Sequence, residues 1–437
     1  MTPTVAERRL VVAQRSPAER PRMLVLSHVQ PFPRSAGQQL RVYYTLKAAR
    51  ERFHVTFASF VAGAGDANAR RELGPLCDEV LLLPDAYAGS PPNRAWQIGA
   101  GTAYMAATGL KRSNYVIGRV HFPPRRVAAL LEGRTFDCAL FEYWHAVDNV
   151  DQFRSAGVPC ILDMHDILWR SYERRLSEAG VPGSVKGWAL TRYRRREEQA
   201  WSRFDAVVAI NREEERYVRD RLSPATPVFH AAMGTDLTAW SSSWAPVSPP
   251  RVAYYGAFSS SHNQASAERC AREIMPIVWS AHPGTELWLV GSNPPARIRA
   301  LASDSRVIVT GFLEAPQKVL RTMTAVLCPW VGTYGFRSRL VEVMALGVPT
   351  VVTADAVWGM DLEAGRGMLV GDSNRALADH VSALLRDRAF ASRHSVEARK
   401  QVEASFSLAS TYGRLMRDIR AWLDARQGTR PHGVIPR

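Results

Sequence analysis

Short apolar runs recur along the chain, each bounded by turn-forming residues and separated by longer amphipathic stretches. MLVLS (Met23–Ser27) is the first. It is continuously apolar rather than alternating, the pattern of a strand covered on both faces. HVTFASFV (His54–Val61), EVLLLP (Glu79–Pro84), FDCALFEY (Phe136–Tyr143), PCILDMHD (Pro159–Asp166), DAVVAI (Asp205–Ile210) and PVFHAA (Pro227–Ala232) continue the series. Helical segments separate most of them, one starting at Leu40 and one spanning Val185–Trp201. Strand, helix, strand at this spacing predicts a parallel sheet with helices on both faces.

The run SSSWAPVSPP (Ser241–Pro250) concentrates Ser and Pro and reads as a linker. After it the pattern restarts. RVAYYGA (Arg251–Ala257), ELWLVG (Glu286–Gly291), RVIVTG (Arg306–Gly311), AVLCPW (Ala325–Trp330), PTVVTA (Pro349–Ala354) and GMLVGD (Gly367–Asp372) are expected strands. Gln264–Ser280, Arg337–Leu346 and Leu377–Arg386 are expected helices. The fold class is therefore α/β, with two Rossmann-like parallel sheets. The expected boundaries are a leader over 1–22, a first domain over 23–240, a linker over 241–250, a second domain over 251–407, a terminal helix over 408–425 and a tail over 426–437. Such sheets bind ligands beyond the C-terminal ends of their strands, and two facing sheets would enclose a cleft.

A chain of 437 residues suits two domains. Its net charge of +15 is spread evenly, with 33 basic and 25 acidic residues up to position 245. That spread argues against a dedicated nucleic-acid module, and no nucleic-acid partner is expected. One stretch departs from it. Ala86–Leu131 has no acidic residue but holds Arg94, Lys111, Arg112, Arg119, Arg125 and Arg126, with Trp96, Tyr104 and Tyr115 interleaved. It is either a solvated basic face or a surface for an anionic acceptor or anionic lipid. VKGWALTRYRRREEQAW (Val185–Trp201) poses the same choice between a solvated and a membrane-surface helix. The five scattered cysteines contain no C-x-x-C pair, which reads as buried thiols in a reducing compartment. No apolar run reaches the roughly 18 residues of a spanning helix. The Arg-rich start lacks the apolar stretch of a signal peptide and reads as a disordered leader. A cytoplasmic protein is expected, with peripheral contact to the membrane's inner face as an extension.

The densest chemistry lies in GTYGFRSRLVEVMALGVPTVVT (Gly332–Thr353). Glycines follow a strand, and a helix expected near Phe336 carries Arg337, Arg339 and Glu342. Amides at a helix start, together with its positive dipole end, attract phosphate. Two guanidinium groups would add charge-assisted hydrogen bonds. The Glu342 carboxylate suits the vicinal hydroxyls of a ribose. The plainer alternative has Glu342 merely pairing with one arginine.

This arrangement resembles the retaining glycosyltransferases of the GT-B fold, family 4 (glycosyl transferases group 1). The family pattern of Gly, a basic pair, Glu and A-x-G-x-P-V-V corresponds to Gly335, Arg337, Arg339, Glu342, Ala345, Gly347, Pro349, Thr350 and Val351. The resemblance covers most of the second half and is looser in the first, at HVQPFPRSAGQQLR, LDMHD and HAAMGTD. It implies hexose transfer from a nucleoside-diphosphate sugar, the co-substrate, to a hydroxyl of a glycan, lipid-linked sugar or secondary metabolite. It implies no metal and no further cofactor. Gly335, Phe336, Arg337, Arg339, Glu342, Gly256 and Gly37 form the expected donor set. The resemblance also implies that the terminal helix returns to the first domain. Two departures stand out. The first of two glutamates common in the family falls at Tyr334, and the loop Ser259–Asn263 has neither Arg nor Lys. The arginine pair would have to neutralise the diphosphate by itself.

On the acceptor side, Glu142 and His145 follow one expected strand, and Asp163, His165 and Asp166 close the next. By resemblance, His165 would contact a hydroxyl of the donor sugar. Glu142 or Asp166 would orient the acceptor hydroxyl. These residues, with His28, lack helical metal-ligand spacing. A nucleotide-sugar epimerase of the same architecture and a non-catalytic sugar- or nucleic-acid-binding protein are the rival readings. No G-x-G-x-x-G supports a dehydrogenase.

Overall fold

A computed structural model describes residues 20–34, 36–61, 66–84, 91–241, 244–333 and 335–428. The leader up to residue 19, Tyr334 and positions 429–437 of the expected tail lie outside them. The chain forms two compact units. One runs up to Ala231 and takes in the residues from Tyr412 on; the other is Ala232–Thr411.

The first unit is built on seven parallel strands: β1 (Arg22–Ser27), β2 (His54–Val61), β3 (Glu79–Pro84), β4 (Cys138–Glu142), β5 (Cys160–Asp163), β6 (Ala206–Ala209) and β7 (Val228–His230). Their order is β3-β2-β1-β4-β5-β6-β7. The chain therefore reverses direction across the sheet beside β1, and β4 pairs with β1 on one edge and β5 on the other. Strands β1, β4, β5 and β6 have almost no exposed side chain, which explains their unbroken apolar sequences. The second unit repeats the scheme with β8 (Arg251–Tyr255), β9 (Glu286–Val290), β10 (Val307–Gly311), β11 (Ala325–Cys328), β12 (Thr350–Val352) and β13 (Met368–Val370), in the order β10-β9-β8-β11-β12-β13.

Twelve of the thirteen strands lie within apolar runs noted in the sequence, and most are shorter than the runs; β1 extends its run by one residue, Arg22. Pro159, Pro227 and Pro349 precede β5, β7 and β12 instead of opening them, since proline gives no ladder hydrogen bond. Helices start earlier or later than their apolar periods. The first begins at Gly37, not Leu40. The helix expected near Phe336 begins at Ser338, and it ends in a left-handed Gly347 whose N–H reaches the Met344 carbonyl. The helix Pro91–Thr108 was not foreseen, because its Gly and Thr content hides the period.

Residues 244–247 of the expected linker lie on the second unit. The Trp244 indole N–H donates to the Met323 carbonyl at 2.8 Å, and Ala245 N–H to Arg321 at 2.9 Å. The terminal helix is Arg414–Gly428 and belongs to the first unit, where Trp422 meets Phe229 edge to face. No helix among the described residues is long and apolar enough to cross a membrane.

Candidate functional site

In the second unit, the ends of β8 and β11 and the segment before helix Ser338–Ala345 enclose a cavity of about 270 Å³. Gly256, Phe336, Arg337 and Arg339 of the expected donor set line it, beside Tyr255, Asn263 and Trp330. The Arg337 guanidinium carbon lies 3.8 Å from the Trp330 ring centroid, over the ring, a cation–π contact. Arg337 is also the N-cap residue, and no side chain caps this helix, so its first turn offers amides to an anion. The two glycines of the preceding loop differ in their roles. Both have positive φ, +105 and +64, which a side chain would strain, but only Gly332 is seen to give its N–H to a carboxylate, Asp355 Oδ2 at 2.7 Å.

Glu342 is buried, and Arg339 holds it at 2.8 Å. Arg339 also donates to the Tyr255 hydroxyl at 2.7 Å. Burial pushes the Glu342 carboxyl up and Arg339 pulls it back. The pairing of Glu342 with an arginine, the plainer of the two sequence readings, is thus present. It shares Arg339's charge with a carboxylate, while Arg337 lines the same cavity. At the other rim, Asn263 bridges strand and helix. Its Oδ1 accepts from Tyr254 OH at 2.8 Å, and its amide donates to the Ala257 carbonyl at 2.7 Å. A Cβ at Gly256 would stand 3.0 Å from that side chain, so the bridge requires glycine or a shift. Tyr255 and Trp330 escaped the sequence reading because nothing marks a strand-end aromatic as a site residue, and Asn263 because a lone asparagine in the first turn of a helix carries no pattern.

In the first unit, the residues after β1, β4 and β5 form a second constellation. His165 and Glu142 are buried and bonded through Nε2 and Oε2. Asp163, also buried, receives the Arg41 guanidinium, with Nε 2.9 Å from both carboxylate oxygens and Nη2 2.8 Å from Oδ1. Arg41 has 1 % exposure and also donates to the Ala231 carbonyl. Burial opposes its charge, but Asp163 more than compensates. Glu142, Asp163 and His165 are close enough to hold a metal ion, yet Arg41 already supplies the balancing cation. Burial pushes the Glu142 carboxyl up, against His165 and Arg41. Asp166 lies beside the buried Glu214, whose carboxyl is raised by burial and by that neighbour.

Tyr143 stacks on His165 at 4.1 Å, and His28 and His145 pack around Tyr143 at 5.0 and 5.6 Å. Tyr143 and His165 hold left-handed backbone, at φ +69 and +59. Such strain costs about 1–3 kcal/mol per residue and gathers at functional positions. Burial pushes His28 down to about 3 and His145 well below the usual imidazole range, so both are neutral. Gly37 is the first residue of helix Gly37–Arg50, not a loop residue. Arg41 was missed because it sits among the apolar residues of that helix with no pattern of its own.

The basic stretch between Ala86 and Leu131 is partly committed. Arg119 pairs with Asp148 at 3.3 Å, Arg126 donates to the Pro84 carbonyl, and Lys111 lies over Tyr172 and Tyr193.

Residues 249–387 match the family described as glycosyl transferases group 1, and residues 36–230 match the glycosyl transferase 4-like domain. The sucrose-phosphate synthase of Thermosynechococcus elongatus is similar in structure over 93% of this chain and 100% of its own, at 18% identity and TM-score 0.63. The chain belongs to the GT-B glycosyltransferases. Two further structures similar to this glycosyltransferase illustrate the fold. Anabaena HepE, in complex with UDP and glucose, is 13% identical over 92% of this chain and 99% of its own, with TM-score 0.58. A UDP-forming α,α-trehalose-phosphate synthase from Burkholderia vietnamiensis is 12% identical over 94% and 100%, with TM-score 0.61. No curated protein sequence matches the chain significantly.

Proposed function

We propose that this glycosyltransferase is a retaining, family 4 enzyme. It moves a hexose from a nucleoside-diphosphate sugar to an acceptor hydroxyl without a metal ion. One observation carries the reading: Arg337, the start of an uncapped helix, and Arg339, itself paired with Glu342, line one cavity in the second unit. The positive groups hold the diphosphate and stabilise it as it leaves. Glu342, anchored by Arg339, accepts from the ribose hydroxyls. The similar fold of HepE, solved in complex with UDP and glucose, supports a nucleotide sugar as donor.

In the reaction, the bond from the anomeric carbon to the phosphate oxygen breaks. The acceptor oxygen bonds to that carbon on the same face. The acceptor's proton passes to the departing phosphate, so a dedicated base is not needed. The acceptor is assigned to the strand ends of the first unit. There, Glu142 holds His165, which offers a hydroxyl a fixed imidazole, and Asp166 orients the acceptor. A cytoplasmic location fits this chemistry, with peripheral contact to an anionic membrane as its extension.

The test has two steps. Nucleoside diphosphates and their sugars are screened for thermal stabilisation, and the one that binds is used in turnover with added acceptors. The product's anomeric coupling by NMR should show the donor's configuration. An inverted product would overturn retention. Interconversion of the nucleotide sugar with no acceptor present would support the epimerase reading instead.

A further inference from the structure

The helix Gly183–Trp201 buries Ala189, Tyr193, Glu197 and Ala200. Beside that face runs a second stripe at three- and four-residue spacing: Val185, Trp188, Arg192, Arg195, Arg196 and Gln199. Its ends differ in character. Val185 and Trp188 are 51% and 41% exposed, a cost in water that a single surface apolar residue can bear but a neighbouring pair seldom does. Arg192, Arg195 and Arg196 are exposed and make no ion pair among the described residues. From Trp188 to Gln199 the helix rises about 16 Å.

Along the same stripe lies a groove of about 740 Å³, closed on its other side by Ala107, Thr108 and Leu110 at the end of helix Pro91–Thr108. Among the described residues, no carboxylate lines it. At its cationic end it shares Leu110, Arg196 and Gln199 with a smaller chamber of about 100 Å³. Trp144 and His145, the residues just after β4, form the wall of that chamber. Trp144 is 4% exposed, yet among the described residues its indole N–H has no hydrogen-bond partner, nor has His145 Nδ1. An indole N–H can only donate, and leaving it unpaired costs about 1–3 kcal/mol.

We propose that this groove is the acceptor site and that the acceptor is an amphiphilic phosphate. Its apolar tail lies on Val185 and Trp188, its phosphate at Arg192, Arg195 and Arg196, and its hydroxyl-bearing head extends past Trp144 and His145 toward the ends of β4 and β5. The order of apolar and cationic surface along one helix matches the order of tail and phosphate in such a molecule. The proposal rests on the reading of the first unit as the acceptor side.

The test uses the full chain with farnesyl phosphate below its aggregation limit, read by calorimetry or tryptophan quenching. Farnesol and inorganic phosphate are the controls. Saturable binding of farnesyl phosphate is expected, at least tenfold tighter than either control. The double variant Arg195→Gln/Arg196→Gln should lose at least tenfold in affinity, and Trp188→Ala several-fold. All these side chains are exposed, and the variants should keep the wild-type melting temperature and its shift with nucleoside diphosphate. Equal binding of farnesyl phosphate by wild type and double variant would overturn the proposal. So would binding only to phosphatidylglycerol vesicles, which would make the stripe a bilayer-docking face. Loss of nucleotide binding in the wild type is a separate result, one that would sink the donor reading and not the groove.

Discussion

The two strand-end constellations handle charge in opposite ways. In the first unit, Arg41, Asp163, Glu142 and His165 are buried together and bonded to one another. In the second, Arg339 and Glu342 pair, and Arg337 lines a cavity over the ring of Trp330. The first arrangement spends its charges on holding backbone in place. In the second, Arg337 and Arg339 line a cavity with room for a ligand group. A residue's sequence neighbourhood does not distinguish these uses; what distinguishes them is whether the charged group is sealed in the core or lines a cavity.

The contrast makes its strongest prediction at Arg41. Arg41→Met leaves Asp163 buried without a partner, and breaking such a pair costs about 3–5 kcal/mol. Chemical denaturation should show that loss, while nucleotide binding by the second unit stays intact. If Arg41→Met melts like the wild type, the first constellation is not a structural charge network.

In the donor pocket the expected pattern is reversed, with binding affected and stability spared. Arg337→Ala should weaken nucleoside-diphosphate binding by about 1.5–3 kcal/mol, the range for hydrogen bonds to charged groups. Its melting temperature without ligand should stay near the wild-type value. Glu342→Gln keeps the shape but not the charge, and should weaken nucleoside binding while leaving inorganic pyrophosphate binding unchanged or tighter. Tyr255→Phe removes one hydrogen bond to Arg339 and should cost about 1 kcal/mol in nucleotide affinity.

A smaller effect concerns pH. His28 titrates near 3 in the folded chain and near its ordinary 6.5 when unfolded. Below 6.5 the unfolded state therefore binds a proton that the folded state does not. Its contribution to stability is complete above pH 6.5 and falls on acidification toward 3, by at most about 1.4 kcal/mol per pH unit. His145 acts in the same direction. Denaturation series between pH 7 and 5 should show a shallower slope for His28→Phe than for the wild type. Equal slopes would show that His28 is not kept neutral by burial.

Much of this was legible in the sequence for a simple reason. Strands such as β1 and β4 are buried on both faces, so their apolar runs are unmistakable. The Gly335–Gly347 segment carries its glycines, arginines and glutamate within a single turn and helix. What escaped was contact between distant segments. Arg41 meets Asp163 across 122 positions, and Tyr255 meets Arg339 across 84. No local period encodes those meetings. The helix Pro91–Thr108 escaped for a different reason, since Gly99, Gly101 and Thr102 weaken its propensity and packing against Gly183–Trp201 restores it.

The central claim is that a diphosphate is held beside Arg337. The most direct measurement is calorimetric titration of wild type and Arg337→Ala with the nucleoside diphosphate that stabilises the wild type most. The account predicts a loss of about tenfold or more in affinity on removing the guanidinium, with most of the difference vanishing when the bare nucleoside is titrated instead. Identical affinities for the diphosphate in the two proteins would contradict it.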